Sequence, residues 1–284
     1  MTTIRDALIY GKNFLKKKNI STYQLDTELL LMSAIGKDKT YLYAHPEYIL
    51  NEREKQKYLK NLKERSKRLP VAYIIGEKEF YGERFIVEKG VFCPRPETEL
   101  LIDEAKMLFG INDKLKIYEI GCGTGIISIT LARLFPKSII YCCDINNKAL
   151  DLTLRNAKFH KVKSRVKIFK GSFFEPIKDT KFDLIISNPP YLDHDDYMGA
   201  EPEVRKEPKA ALMSREKGLW ALKKIIRESK LYLKDEGYIL LEIGNAQGEY
   251  IKKYGEKKGF EIVVKQDLNG YDRVIRGCLK TKNT

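Results

Sequence analysis

Apolar positions recur at helical spacing through the first seventy residues. Ile4, Leu8 and Leu15 form one stripe and Leu25, Leu29 and Met32 a second, with Ser21 or Thr22 placed to cap the second helix. A third helix is predicted over 52–69, with Tyr58, Leu59, Leu62 and Leu69 on its apolar side, and Pro70 stops it. The pattern then alternates through Tyr73, Ile75, Phe80, Phe85 and Val87, interrupted by Tyr81-Gly82-Glu83, which predicts a β-hairpin. After it, Pro96 in Cys93-Pro94-Arg95-Pro96-Glu97-Thr98-Glu99 is the first residue that can open a helix. From Leu115 the rhythm changes again. Strands are predicted at 116–120, 138–144, 165–169, 182–187, 238–243, 260–265 and 273–277, with helices at 126–135, 147–160, 218–233 and 248–258. Strands alternating with helices of this length predict a parallel sheet covered on both faces: a doubly wound, Rossmann-like α/β domain. The expected organisation is a helical domain at 1–69, a hairpin connector at 70–98 and the α/β domain at 99–284.

Composition narrows the class. Of 284 residues 43% are hydrophobic, enough for a core and too many for a disordered chain. No run reaches the roughly 18 apolar residues of a membrane span, and the Met-Thr-Thr-Ile-Arg-Asp start does not read as a secretory signal. A soluble, cytoplasmic protein is expected. The net charge of +14 suits encounter with polyanions, and equally suits a lysine-rich solvated surface. The predicted third helix shows the same two faces, with eight Lys or Arg against three Glu between Asn51 and Arg68. Five cysteines without a C-x-x-C pair and three scattered histidines argue against a metal site or a disulfide framework.

Candidate chemistry sits at two strand ends. The first α/β strand runs into Gly121-Cys122-Gly123-Thr124-Gly125 ahead of a helix, and the second ends in Asp144. Glycines there let the backbone turn tightly against a ligand, and an acid at the second strand end reaches ribose hydroxyls. A dinucleotide fingerprint wants Gly or Ala at 126, where this chain has Ile126, and no Gly-Lys-Ser/Thr follows. Glycines at 121, 123 and 125 form instead the pattern of S-adenosylmethionine sites. The strand 182–187 breaks at Asn188-Pro189-Pro190-Tyr191. Two prolines fix the backbone and remove donors, so the Asn188 side-chain oxygen and the Pro189 carbonyl can accept both hydrogens of a planar NH₂ group. Tyr191 offers a ring to stack on a flat amide or base. Orientation can supply roughly 7–11 kcal/mol toward making so weak a nucleophile react.

On these motifs the chain resembles the HemK/PrmC family, the release-factor glutamine N5-methyltransferases. The resemblance also rests on Pro94–Glu99, Glu207-Pro208, and Leu241-Glu242-Ile243-Gly244. It implies a class I methyltransferase domain preceded by a helical bundle and hairpin, the bundle contacting a class 1 release factor. It implies S-adenosylmethionine bound by Gly121 to Gly125, Asp144 and Asn188, with Phe173 at the adenine. Asn188 to Tyr191 would hold the glutamine of the substrate's Gly-Gly-Gln loop, with no nucleic acid required. Where the family has Gly-Asp-Trp or Gly-Asp-Phe this chain has Gly171-Ser172-Phe173, which loses a charge-assisted contact. Arg95 and Glu97 either touch the ligand or pin the connector, and pinning is the preferred reading. The alternative reading is a nucleic-acid methyltransferase acting on adenine N6 or guanine N2, with Tyr191 against a flipped base.

Overall fold

The computed structural model describes residues 2–280, which fall into two compact units. One comprises Met1–Glu77 with Glu201–Lys206, the other Lys78–Ala200 with Glu207–Thr284.

The first unit is helical: α1 (Ile4–Lys16), α2 (Tyr23–Ile35), α3 (Lys39–Ala44), α4 (Glu52–Ser66) and α5 (Val71–Ile75). Reciprocal side-chain and backbone bonds between Thr3 and Asp6, and between Asn51 and Glu54, close the amino ends of α1 and α4. Ile4, Ala7, Leu15, Leu30, Leu31, Tyr58 and Leu62 form the core. Gly11 is required within it. A Cβ there would stand 2.0 Å from the Tyr58 hydroxyl, which donates to the Ala7 carbonyl at 2.9 Å. Arg65 is buried at 4% exposure, held by Asp26 at 2.6 Å and by Glu203 of the returning segment at 2.7 Å. Two sequence readings are corrected here. Leu25 is exposed, because the buried face of α2 runs through Asp26, Thr27, Leu30, Leu31 and Ala34. Tyr73 and Ile75 belong to α5, ended by Gly76 at φ +88°, so the alternation read there is one helical turn rather than a strand.

The hairpin itself is β1 (Glu77–Phe80) and β2 (Glu83–Ile86), turning on Tyr81-Gly82, with Glu83 already in the second strand. The second unit continues with α6 (Glu99–Leu108), β3 (Lys116–Ile120), α7 (Ile126–Leu134), β4 (Ile139–Asp144), α8 (Asn147–Phe159), β5 (Val166–Lys170), β6 (Phe182–Ser187), α9 (His194–Gly199), α10 (Trp220–Ser229), β7 (Leu233–Glu242), α11 (Gly248–Lys257), β8 (Phe260–Gln266) and β9 (Asp272–Leu279). Adjacent residues of the central strands enter opposite cores. Ile117, Leu184 and Leu240 pack with α6 and α7, while Tyr118, Ile185, Ile239 and Leu241 pack with α10 and α11.

The seven strands are ordered β5-β4-β3-β6-β7-β9-β8. The sheet is mixed where a wholly parallel one was expected, because β9 runs antiparallel to both neighbours. The turn between β8 and β9, Asp267-Leu268-Asn269-Gly270-Tyr271, is too short for a crossover and carries Asn-Gly, so an antiparallel return is forced. The helix expected over 218–233 is also shorter. Tyr232 turns back on Ser229 and Leu233 already pairs with Phe182. The order in which strands are laid down reverses at β3, with parallel β4 on one side and parallel β6 on the other, so the carboxyl ends of β3 and β6 flank the switch point where such sheets bind ligands.

Candidate active site

The glycine loop leaves β3 with backbone conformations only glycine adopts easily: φ +74° at Gly121, +54° at Gly123 and +81° at Gly125. The amides of Gly121 and Cys122 both donate to the Cys143 carbonyl, and that of Gly123 to Asp144 Oδ2 at 2.9 Å. The other Asp144 oxygen accepts from Asn146 at 2.8 Å. The carboxyl is thus fixed with lone pairs to spare, and burial raises its pKa from the ordinary value. A Cβ at Gly121 or Gly123 would meet nothing within 4 Å, so open space lies against this backbone. Gly125 differs. It caps α7 and packs against Thr153, away from the cavity wall.

That space is a cavity of about 480 Å³, in the range of small-molecule sites. Gly121, Cys122, Gly123, Thr124, Asp144, Ser172, Phe173, Asn188, Pro189 and Pro190 all line it. Two positions read from the sequence do not: Gly125, as above, and Tyr191. The Tyr191 hydroxyl donates to Glu242 at 3.1 Å and its carbonyl accepts from Gln247 at 3.0 Å; burial holds the phenol above its ordinary pKa. Ser187, at the end of β6, donates to the Ile120 carbonyl at 2.7 Å and so ties the Asn-Pro-Pro-Tyr turn to the strand that carries the glycine loop.

Phe173 stands at φ +51°, its ring edge-on to Trp220 at 5.4 Å, with Lys224 Nζ 4.6 Å above it. Trp220 is the chain's single tryptophan and a cavity wall that sequence reasoning missed; nothing in its neighbourhood signals a ligand. Ser172 lines the cavity too, its amide held by Glu175 at 3.0 Å. Opposite, Pro208, Ala210, Ala211 and Met213 close the wall. Glu207, just before it, is buried and accepts from Arg95 at 2.5 Å and from the Cys93 amide at 3.0 Å. Arg95 therefore pins the connector to the wall, as expected from the sequence, while Glu97 is exposed.

Two buried carboxyls complete the picture. Glu119 accepts from both the amide and the hydroxyl of Ser128, and burial pushes its pKa up to about 8. Glu242, at the end of β7, is pushed up to about 7 by burial. Neither was given a role from the sequence.

A switch-point cavity with a glycine loop and an acid on adjacent strands, in a seven-stranded sheet of this order with one antiparallel strand, is the arrangement of the class I methyltransferase fold. The amino-terminal part matches the family model described as the PrmC N-terminal domain over residues 6–76, and residues 83–215 match the methyltransferase small domain. A release factor glutamine methyltransferase of Aquifex aeolicus is 41% identical over 92% of this chain and 93% of its own length. One of Clostridium botulinum is 36% identical over 96% of this chain and 98% of its own. A methyltransferase structure from Pyrococcus furiosus overlays 71% of this chain and 91% of its own with a TM-score of 0.54 at 15% identity, a likeness of fold. The chain belongs to the release factor glutamine methyltransferase family. Among the described residues no helix is long and apolar enough to cross a membrane.

Proposed function

We infer that this protein transfers a methyl group from S-adenosylmethionine to the side-chain amide nitrogen of a glutamine, that of the Gly-Gly-Gln motif in class 1 peptide release factors, and that it does so in the cytoplasm. The observation that carries the reading is the opening of Asn188-Pro189-Pro190 onto the same cavity as Gly121–Thr124 and Asp144. An acceptor for a planar amide and a cradle for a nucleoside share one space.

The residues present suit the cofactor. Gly121 and Gly123 leave room for it to lie against backbone, Asp144 offers acceptors to ribose hydroxyls, and Phe173 with Trp220 gives an aromatic wall for adenine. When bound, S-adenosylmethionine supplies an electrophilic methyl on a sulfonium centre. The chain's own contribution is orientation and charge. The Asn188 oxygen and Pro189 carbonyl accept the two amide hydrogens, hold the nitrogen's lone pair toward the cavity, and favour positive charge growing there. No strong general base is needed before transfer, and the substrate is a protein, with nucleic acid not required.

Incubation with S-adenosylmethionine and a release factor, followed by peptide mass spectrometry, tests the reading. One methyl on the glutamine of the Gly-Gly-Gln peptide is expected; methyl found only on nucleic acid contradicts it. Asp144→Ala is expected to weaken cofactor binding by roughly 10–100-fold, the loss of hydrogen bonds to a charged acceptor, read by calorimetry. Unchanged affinity would remove Asp144 from the cofactor site.

A further inference from the structure

An asparagine amide presents an acceptor and a donor that are nearly the same shape. Only one way round can serve a substrate NH₂ group. The surrounding bonds decide which. Asn188 Nδ2 donates to the Thr98 hydroxyl at 3.1 Å, and that hydroxyl donates to Glu242 Oε2 at 2.7 Å. Thr98 and Glu242 are each 1% exposed. A threonine hydroxyl has one proton. With that proton committed to a carboxylate, which can only accept, Thr98 can only accept from Asn188. The asparagine must then turn its NH₂ inward, which leaves Oδ1 as the end available to a ligand. The second carboxylate oxygen of Glu242 accepts from the Tyr191 hydroxyl at 3.1 Å, so the whole Asn-Pro-Pro-Tyr turn is anchored on one acid.

We propose that Thr98 and Glu242 are positioning residues that set the amide orientation of Asn188, so that the ionised carboxyl of Glu242 keeps the methyl-accepting site in its acceptor form. The proposal rests on the methyl-transfer reading above. Protonation of Glu242 reverses the logic: the acid can donate to Thr98, the Thr98 proton is freed toward Asn188, and the amide turns its NH₂ to the substrate. Two donors then face each other, and the site no longer holds the substrate nitrogen.

The groups facing Glu242 set where this happens. Burial, with Glu97 adding to it, disfavours the ionised form and outweighs Thr98, Tyr191 and Arg273, which favour it, so its pKa is pushed up to about 7. Arg273, on β9, is itself paired with Asp267 at 3.1 Å. The carboxylate is the active form, so turnover falls as pH drops through that region and is retained above it.

The test uses the full chain with its release factor. Thr98→Val and Glu242→Gln are each expected to lower kcat about tenfold or more, as for loss of a buried hydrogen-bond partner, with KM for S-adenosylmethionine little changed. Because they act through one chain, the double variant is expected to be no slower than the worse single variant. Thr98→Ser, which keeps the hydroxyl, restores most of the rate. The acid limb of the kcat profile near neutrality disappears in Glu242→Gln. Melting curves and cofactor affinity separate these effects from misfolding. Methylation by wild type together with an unaltered rate and pH profile in Glu242→Gln, or additive losses in the double variant, overturns the proposal. Absence of glutamine methylation in wild type overturns the reading beneath it instead.

Discussion

Asn188→Ala is expected to lower turnover by roughly 10²–10³-fold, the cost found when one preorganised electrostatic partner of a transition state is removed. Cofactor affinity should survive, because the glycine loop and Asp144 sit on β3 and β4 and do not depend on the Asn188 side chain. The methyl group of alanine cannot accept from the substrate nitrogen, and Thr98 loses the donor it now receives from. Single-turnover rates measured beside calorimetric binding check this. Turnover close to wild type would show that the asparagine oxygen does not hold the reacting amide.

The second large effect is expected at a glycine packed behind the Asn-Pro-Pro-Tyr turn. Gly218 has φ +80°, and a Cβ there would lie 2.0 Å from the Tyr191 carbonyl oxygen and 2.6 Å from Gln247 Nε2. Neither can yield easily, since the carbonyl belongs to the proline-stiffened turn and Gln247 is bonded to it. Gly218→Ala should therefore cost about 3 kcal/mol or more, combining left-handed strain with overpacking, and should also slow turnover by shifting Tyr191. Gly270 isolates the strain. It has the same φ of +80° with nothing within 4 Å, so Gly270→Ala should cost only about 1 kcal/mol and leave activity alone. Thermal melts of the two variants make the comparison, and equal destabilisation would refute the clash with the turn.

Gly218 also shows where reading the sequence reached its limit. The apolar rhythm of Leu219, Leu222, Ile225, Ile226 and Leu233 runs on through a glycine at one end and a turn at the other, so periodicity alone cannot see that Gly218 is pressed on another loop. The strands and the two chemical loops were legible because their signals are local: Lys116–Ile120 ahead of glycines, Phe182–Ser187 ahead of Asn-Pro-Pro-Tyr. The reversal at β9 was written in a five-residue link and an Asn-Gly pair, a turn signal that alternation of strand and helix obscured. Thr98 and Glu242 were hidden for a different reason. They are 144 positions apart and meet only because β7 lies beside β6 in the sheet and the turn Pro96–Thr98 packs there. Tyr191 was read as a stacking ring because its chemistry allows it; the buried acid that takes its hydroxyl is a tertiary fact.

The same contrast explains the two carboxylate types near the cavity. Asp144 is satisfied by backbone amides that any sequence would supply at a strand end, so its place could be read from spacing. Glu242 is satisfied by two side-chain hydroxyls from distant segments, and its role follows from the direction of those bonds.

A crystal structure with S-adenosylhomocysteine and a glutamine peptide tests the central assignment most directly. The expected result has the glutamine side-chain nitrogen within hydrogen-bond distance of both Asn188 Oδ1 and the Pro189 carbonyl, facing the cofactor's sulfur. A peptide amide bound elsewhere, or an Asn188 that offers it a nitrogen, would contradict the account.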